Sequence, residues 1–167
     1  STRERNLLLR NLGDWKFENV TQRAGTDGGG RVVFSSAWFD SNNDSWPDLY
    51  VINEFGDGIL YVNRQDGTIL WQRESPYQKL EEIHEIGSHA QSSPVTDGDR
   101  VVSFFGSSGM YCYDMEGNLI WKKSFGPFNN TFGSGTSPVI SGDAIILCQD
   151  HDTDSFLISL NKHDGST

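Results

Sequence analysis

A phrase that returns after 44 residues constrains the fold of this chain more than any other sequence feature. Residues 92–99 (Ser-Ser-Pro-Val-Thr-Asp-Gly-Asp) return as residues 136–143 (Thr-Ser-Pro-Val-Ile-Ser-Gly-Asp). Short runs rich in β-branched and aromatic residues follow each copy and are bounded by Gly or Asp, the pattern of strands joined by tight turns. A period of about 40 to 45 residues is that of a four-stranded β-propeller blade. We therefore predict an all-β chain whose blades each contain four antiparallel strands.

Counting such runs along the 167 residues predicts about thirteen strands, or three to four blades. Two begin near residues 7 and 15, four lie between residues 32 and 73, four between 94 and 124, and three between 138 and 160. A lone chain of this kind would leave a blade face and a strand edge uncovered. We therefore expect a closed homo-oligomer, most simply a dimer, in which the strand at residues 15–20 completes the last blade of a partner.

The loop at residues 40–48 carries oxygen-bearing side chains at its first, third, fifth and ninth positions, which are Asp40, Asn42, Asp44 and Asp48. Ca²⁺ takes about six to eight oxygen ligands, and such a loop can turn these side chains to one centre while a main-chain carbonyl near its seventh residue adds another oxygen. We therefore predict a calcium site formed by Asp40, Asn42, Asp44, Asp48 and the carbonyl of Trp46. An acidic turn that binds nothing is the alternative, since Asp, Asn and Ser are ordinary turn residues.

The surroundings of this loop carry further repeat signals. Residues 6–11 (Asn-Leu-Leu-Leu-Arg-Asn) are followed by Gly13-Asp14 and Phe17, and a second copy of this phrase lies at residues 60–67. With the acidic loop, residues 6 to 67 resemble the FG-GAP or VCBS family of calcium-binding β-propeller repeats. The resemblance implies that the loop joins neighbouring strands of a blade and that its metal is structural. Trp15 and Ser45 stand where that family favours Gly.

Two outer strands of the predicted blades carry a tryptophan after a Gly turn, at Leu70-Trp71 and at Ile120-Trp121. In phrase order, turn residues and period, residues 66–167 resemble the quinoprotein-like or PQQ-like propeller repeat. Such repeats also occur in outer-membrane assembly lipoproteins and in many exported proteins that bind no quinone. Because Trp71 and Trp121 end outer strands, we expect them to pack between neighbouring blades; a ligand-stacking role is the alternative.

The two repeat types meet without a linker. Residues 66–71 (Asp-Gly-Thr-Ile-Leu-Trp) close the first pattern and open the second. A boundary between separate domains would favour a Pro-, Gly- or Ser-rich stretch. We therefore predict that residues 1–67, with the calcium loop, and residues 68–167 form one continuous propeller array. A natural hybrid, an excised fragment and an engineered chimera are origins that the sequence leaves open.

Charge and apolar patterning restrict the partners. The net charge is −10 and the isoelectric point about 4.6, which argues against nucleic acid because phosphate binding relies on clustered Lys and Arg. No apolar run reaches membrane-spanning length, so we expect no membrane insertion. Cys112 and Cys148 lie inside strand patterns, and we predict that both are buried free thiols.

Little in the sequence favours catalysis. Quinone enzymes of the resembled superfamily use a pair of adjacent cysteines, which this chain lacks, and its four histidines form no metal-ligand spacing. We predict a non-enzymatic, calcium-stabilised scaffold or interaction module, extracellular or periplasmic in a bacterium, where calcium is abundant. The alternatives are a fragment of a quinoprotein-type dehydrogenase and a recombined or designed propeller with no activity beyond folding and assembly. Asp150, Asp152 and Asp154 are either a second calcium loop or a solvated hairpin turn.

Overall fold

Thirteen strands in four antiparallel sheets make up the described part of the chain. The computed structural model describes residues 6–27, 33–40, 42, 44–53, 59–62, 69–76, 82–84, 87–150, 152 and 154–167. The first sheet contains β1 (Leu9–Asn11) and β2 (Phe17–Asn19), and the second contains β3 (Val33–Phe39), β4 (Asp48–Asn53), β5 (Ile59–Val62) and β6 (Ile69–Arg73). The third contains β7 (Val95–Thr96), β8 (Arg100–Phe104), β9 (Met110–Asp114) and β10 (Leu119–Lys123), and the fourth contains β11 (Val139–Ser141), β12 (Ala144–Gln149) and β13 (Phe156–Asn161).

Each sheet is a simple meander in which strands adjacent in sequence are adjacent in space. The two-four-four-three distribution of strands agrees with the predicted count, and the predicted all-β class is confirmed. A single 3-10 turn at Gly106–Ser108 is the only helical element among the described residues. Tight turns at Gly and Asp hold the register of the inner hairpins, as where Asp97 caps the turn that leads into β8.

The third sheet lies between its neighbours and is buried on both faces. Val101 and Val102, which are adjacent in β8, belong to different apolar clusters. The first cluster joins the second sheet to the third and contains Tyr50, Ile52, Trp71, Ala90, Val101, Phe105, Tyr111 and Tyr113. The second joins the third sheet to the fourth and contains Val102, Phe104, Met110, Cys112, Trp121, Phe128, Ile145, Leu147 and Leu160. In β8, apolar residues at consecutive positions thus accompany cover on both faces of the sheet.

A tryptophan from each four-stranded sheet packs on a turn of the next sheet. The Trp71 Nε1–H donates to the carbonyl of Met115 at 2.8 Å, and the indole lies over Gly117, where an added Cβ would come within 2.5 Å of the ring. The Trp121 Nε1–H donates to the carbonyl of Lys162 at 3.0 Å, and a Cβ on Gly165 would lie 2.8 Å from its ring. Both indoles are buried, so the expectation that they pack between blades is confirmed.

A buried hydroxyl pair adds a polar contact between the second and third sheets. The Tyr50 hydroxyl and Ser103 Oγ are 2.7 Å apart, and both residues are fully buried. Burial raises the pKa of Tyr50 well above its ordinary value, so its hydroxyl keeps the proton. Each hydroxyl satisfies the other inside an otherwise apolar interface.

The first sheet leaves much apolar surface exposed. β1 and β2 pair with each other in register from Leu9 with Asn19 to Asn11 with Phe17, so β2 is paired within its own chain. The turn between them places Gly13, Asp14 and Trp15 at positive φ, and the Trp15 side chain is 93% exposed. Positive φ is a costly backbone conformation for a residue with a bulky side chain.

Replacing Gly117 by Ala tests the tryptophan contact. The new Cβ would collide with Trp71 and would also sit at a φ of +78°, so we expect the free energy of unfolding to fall by about 3 kcal/mol. Gly98→Ala is the matched control, because Gly98 has a φ of +93° and nothing within 4 Å of an added Cβ; it should cost only about 1 kcal/mol. Equal losses in urea titrations of the two variants would contradict a stabilising role for the Trp71 contact.

Replacing Trp15 by Gly tests the strain in the first turn. Because Trp15 has a φ of +57° and buries almost no side chain, the change should stabilise the chain by about 1 kcal/mol. The melting temperature measured by circular dichroism should then rise by about 2 to 4 °C. Trp38→Gly replaces another exposed tryptophan, within β3, and should lower the melting temperature instead because Gly weakens a strand interior. A fall in both variants would contradict the prediction.

Candidate functional site

The acidic loop joins β3 to β4, as predicted. Asp40 follows the last residue of β3, and Asp48 is the buried first residue of β4. Ser45, at the sixth position of the loop, has a φ of +68°. This is the left-handed conformation that a glycine would adopt more readily, so the loop makes its sharp turn at the position where calcium loops favour Gly.

Side-chain oxygens of the loop accept hydrogen bonds from the N–H groups of its own backbone. The Asp40 carboxylate accepts the N–H groups of Asp44 at 3.1 Å and Ser45 at 2.7 Å. The Asp44 carboxylate accepts the N–H of Trp46 at 2.9 Å and the amide N–H of Asn42 at 3.0 Å. These bonds hold the predicted ligands Asp40, Asn42 and Asp44 within one turn of the loop. The fourth side-chain ligand, Asp48, lies at the start of β4.

The chemistry of this donor set fits a hard cation. Three carboxylates, one amide oxygen and a main-chain carbonyl are the ligands that Ca²⁺ prefers. Among the residues that the structure describes, however, no three His, Cys, Asp or Glu side chains lie close enough together to hold a metal ion. Asp40, Asn42, Asp44, Trp46 and Asp48 thus share one loop, and their joint coordination of calcium stays a prediction.

The second acidic run uses its carboxylates to hold a neighbouring segment. Asp152 accepts hydrogen bonds from the Thr131 N–H and hydroxyl at 3.1 and 3.0 Å, and Asp150 accepts one from the Ser155 hydroxyl. The Asn130 amide donates to the carbonyl of Asp150 at 3.0 Å. These contacts favour the hairpin-turn interpretation of Asp150, Asp152 and Asp154.

A charged contact that the sequence did not reveal joins the third and fourth sheets. The Lys162 ammonium lies 3.1 Å from the Asp97 carboxylate, and the Arg100 guanidinium donates to the carbonyl of Lys162 at 3.0 Å. Burial alone would raise the pKa of Asp97, but the hydrogen bond from Lys162 and the charges of Arg100 and Lys162 lower it overall. Contacts of Lys162 with Asp97 and Arg100 therefore hold the turn after β13 against the third sheet.

The outer face of the fourth sheet is apolar and exposed. We use this name for Val139, Ile146, Cys148 and Leu157, of which Val139 is 58% and Leu157 72% exposed. The prediction that Cys148 is buried is wrong, because its strand position faces away from the third sheet. Cys112 is a buried free thiol, as predicted, and burial raises its pKa to about 12.

A concavity of about 460 Å³ lies at one end of this outer face. It is lined by Ser141, Asp143, Ala144, Ser159, Leu160, Asn161, Ser166 and Thr167. Ser141 pairs with Ala144 across β11 and β12, and Ala144 pairs with Asn161 across β12 and β13. The concavity thus lies across the end of the sheet that is next to the turn after β13.

No helix in the described ranges has the length and apolar character needed to cross a membrane.

Comparisons with solved structures indicate a propeller fold. BamB from Moraxella catarrhalis superposes with a TM-score of 0.54 at 13% sequence identity, over 83% of this chain and 36% of that chain. A europium-containing methanol dehydrogenase superposes with a TM-score of 0.53 at 11% identity, over 71% of this chain and 22% of that chain. The chain therefore spans only about a third or less of the length of these proteins, and at such identities the likeness is one of fold. No curated protein sequence matches this chain.

A family profile of PQQ-like repeats, described as outer membrane protein assembly factor BamB, matches residues 56–167. The match begins ten residues before the predicted start at residue 66 and confirms the PQQ-like resemblance. None of these comparisons supports the FG-GAP or VCBS resemblance of residues 6–67, which stays a prediction. Because the match covers more than half of the 167 residues, the chain belongs to the BamB family of PQQ-like β-propeller proteins.

Proposed function

We propose that this chain is a non-enzymatic, calcium-stabilised scaffold segment that closes a propeller ring with further copies of itself. The apolar outer face of the fourth sheet carries this proposal. Each residue of this face corresponds by repeat position to a residue of the third sheet. Those residues of the third sheet are covered by the fourth sheet. A surface built in this way is an assembly surface, since single exposed apolar residues need no explanation but a contiguous face does.

The counterpart positions follow from strand register. Val95 and Val102 are cross-strand neighbours in the third sheet, as Val139 and Ile146 are in the fourth. Phe104 pairs with Met110, as Cys148 pairs with Leu157. Val102, Phe104 and Met110 are buried under the fourth sheet, and Val95 packs against the same cluster. The outer face repeats this surface, so a further blade is the partner that fits it.

The order of the sheets favours a head-to-tail contact. At both junctions the tryptophan comes from the earlier sheet and the turn glycine from the later one. A contact of this kind is heterologous, and copies related by such contacts form a ring when the rotation closes. Two copies would supply about six to eight blades, within the range of closed propellers.

Calcium and an exported location complete the proposed role. A cation in the acidic loop would neutralise three carboxylates beside β3 and β4 and thereby stiffen the second sheet. The family to which the chain belongs is described as an outer membrane protein assembly factor, which supports a periplasmic location in a bacterium; an extracellular location is the alternative. Weak calcium loops are useful in such compartments, where calcium reaches about millimolar concentrations.

Calcium removal should destabilise the chain. Because the ion would bind only the folded loop, saturating calcium should raise the melting temperature and a chelator should lower it. Asp44→Asn removes one ligand charge and keeps an acceptor for the Trp46 N–H, so it should abolish most of this shift. Asp152→Asn, in the other acidic run, should retain the shift. A melting curve that is the same in calcium and in chelator would refute the calcium site.

A charge on the outer face should dissociate the assembly. We expect light scattering to report at least twice the chain mass of 18.7 kDa. Leu157→Asp should weaken self-association at least about tenfold, because a covered leucine contributes about 1.5 to 3 kcal/mol and the new carboxylate would be buried. Leu119→Asp is the control, since Leu119 is 51% exposed on β10, away from this face. A wild-type chain that stays monomeric at all concentrations would overturn the assembly proposal.

The thiols give an independent readout of the same contact. Cys148 is exposed on the outer face and Cys112 is buried, so a thiol reagent labels Cys148 first in a monomer. Self-association should slow that labelling, and Leu157→Asp should restore it. An associated wild-type chain in which Cys148 stays fully reactive would place the contact elsewhere.

A further inference from the structure

The contact between the third and fourth sheets has two chemically different ends. Arg100 is the first residue of β8 and Phe104 the last, and β13 begins at Phe156 and is followed directly by Lys162. These residues lie at opposite ends of their strands, about 13 Å apart along β8 at about 3.3 Å per residue. We call the two ends the charged end, which contains Asp97, Arg100, Asp143, Lys162 and His163, and the phenylalanine end, which contains Phe104, Phe125, Phe128 and Phe156.

Opposite charges hold the charged end together. The Lys162 ammonium lies 3.1 Å from the Asp97 carboxylate and 3.4 Å from that of Asp143, and the Arg100 guanidinium lies 3.3 Å from Asp97. His163 Nε2 is also 3.4 Å from the Asp143 carboxylate. The hydrogen bond to Asp97 raises the pKa of Lys162, so the contact favours the charged ammonium. The pair of Lys162 with Asp97 joins the two sheets, and parting the charged end separates these two charges.

Aromatic packing and the main chain hold the phenylalanine end together. The ring centroid of Phe104 lies 5.9 Å from that of Phe125 and 6.2 Å from that of Phe128. Phe125 and Phe128 each lie 6.1 Å from Phe156. Residues 124–138, which connect β10 to β11, leave the third sheet at this end, because β10 ends opposite the start of β9. The main chain therefore ties the two sheets together at the phenylalanine end.

The junction between the second and third sheets differs at the position of Lys162. Met115 stands there; its carbonyl likewise accepts a tryptophan N–H, but its side chain packs against an apolar cluster. Apolar burial thus holds this end of one junction, and an ion pair holds the same end of the other. Because salt screens ion pairs, the two junctions should respond differently to it.

A buried thiol lies beside the charged end. Cys112 Sγ is 4.0 Å from the carbonyl oxygen of Lys162, and the Cys112 side chain is fully buried. The closed contact covers this thiol, and parting the charged end would admit solvent to it. The reactivity of Cys112 is therefore a measure of whether the charged end is open.

We propose that the third and fourth sheets form a hinge, in which the charged end opens reversibly while the phenylalanine end stays closed. Opening separates Lys162 from Asp97, breaks the hydrogen bond from Trp121 to the Lys162 carbonyl and exposes Cys112. Salt favours the open form, because dissolved ions screen the charges that separate. The inference depends neither on calcium binding nor on self-assembly.

Alkylation of Cys112 by iodoacetamide, an uncharged reagent, measures the opening. Cys148→Ser removes the exposed thiol and serves as the parent form. Its labelling should be at least about threefold faster in about 1 M than in about 0.1 M NaCl, since the Debye length falls from about 10 to about 3 Å. Adding Lys162→Met should speed labelling at least about fivefold at the lower salt concentration and remove most of the salt effect, because Asp97 loses its partner across the junction. Lys122→Met, which removes an exposed charge on β10, should match the parent at both concentrations.

Urea separates the opening of one end from unfolding of the whole chain. A hinge motion exposes little surface, so the labelling rate of Cys112 should hardly change at low urea, whereas global unfolding accelerates with the full urea slope. Met110→Cys, combined with Cys112→Ser, supplies a matched thiol at the phenylalanine end, since Met110 is equally buried and begins β9. That thiol should react only through global unfolding, with the full urea slope measured by circular dichroism and without acceleration by salt.

The outcomes decide each part of the inference. Faster labelling of Cys112 in salt, with little dependence on urea and with protection of the thiol from Met110→Cys, supports the hinge. If Cys112 follows the full urea slope at every urea concentration, the charged end does not open by itself and the inference falls. If both thiols respond alike to salt, the sheets separate as a whole and the hinge is wrong. An unchanged salt effect in Lys162→Met would refute the role of the ion pair.

Discussion

The contact between a tryptophan and the turn glycine of the next sheet is the interaction on which the stacking depends. It combines a hydrogen bond to a main-chain carbonyl with an indole laid so close to the backbone that only glycine fits beneath it. Both requirements fall on the turn that follows the third strand of a sheet, β9 or β13, so that turn sets the distance between the two sheets. The apolar clusters then fill the space that the contact defines. Without the tryptophan contact, neighbouring sheets would be held together only by the burial of apolar side chains, which does not fix their relative orientation.

Blades of this type are stabilised largely by packing against neighbouring blades. The third sheet has both faces covered, and four of the five residues in each of its strands β8 and β9 are buried, whereas the first and fourth sheets each leave apolar side chains exposed. Stability in such arrays is a sum of blade terms and nearest-neighbour terms, so the two end sheets should open first. An added blade, from whatever source, would contribute mainly by covering an end.

Turn chemistry is the reason that much of the fold could be predicted from sequence. Gly and Asp delimit the strands so regularly that the distribution of strands among the sheets, and the packing of both tryptophans between blades, could be predicted from the sequence. Exposure of Cys148 could not be predicted, because β12 is apolar at consecutive positions and its sequence is that of a strand with two covered faces. The contact of Lys162 with Asp97 joins residues far apart in sequence and repeats no pattern. For the candidate site, sequence located the acidic loop, but ligand positions depend on backbone turns such as that at Ser45.

The hydroxyl pair of Tyr50 and Ser103 has a consequence for how the sheets find their order. Repeated blades are similar enough to dock in the wrong sequence during folding, a common failure of repeat proteins. The position equivalent to Ser103 in the fourth sheet is Leu147, which faces the third sheet in the same way. If the second sheet docked there by mistake, the Tyr50 hydroxyl would be buried against a leucine, at a cost of about 1 to 3 kcal/mol. Ser103 therefore makes docking of the second sheet on the third more favourable than docking on the fourth.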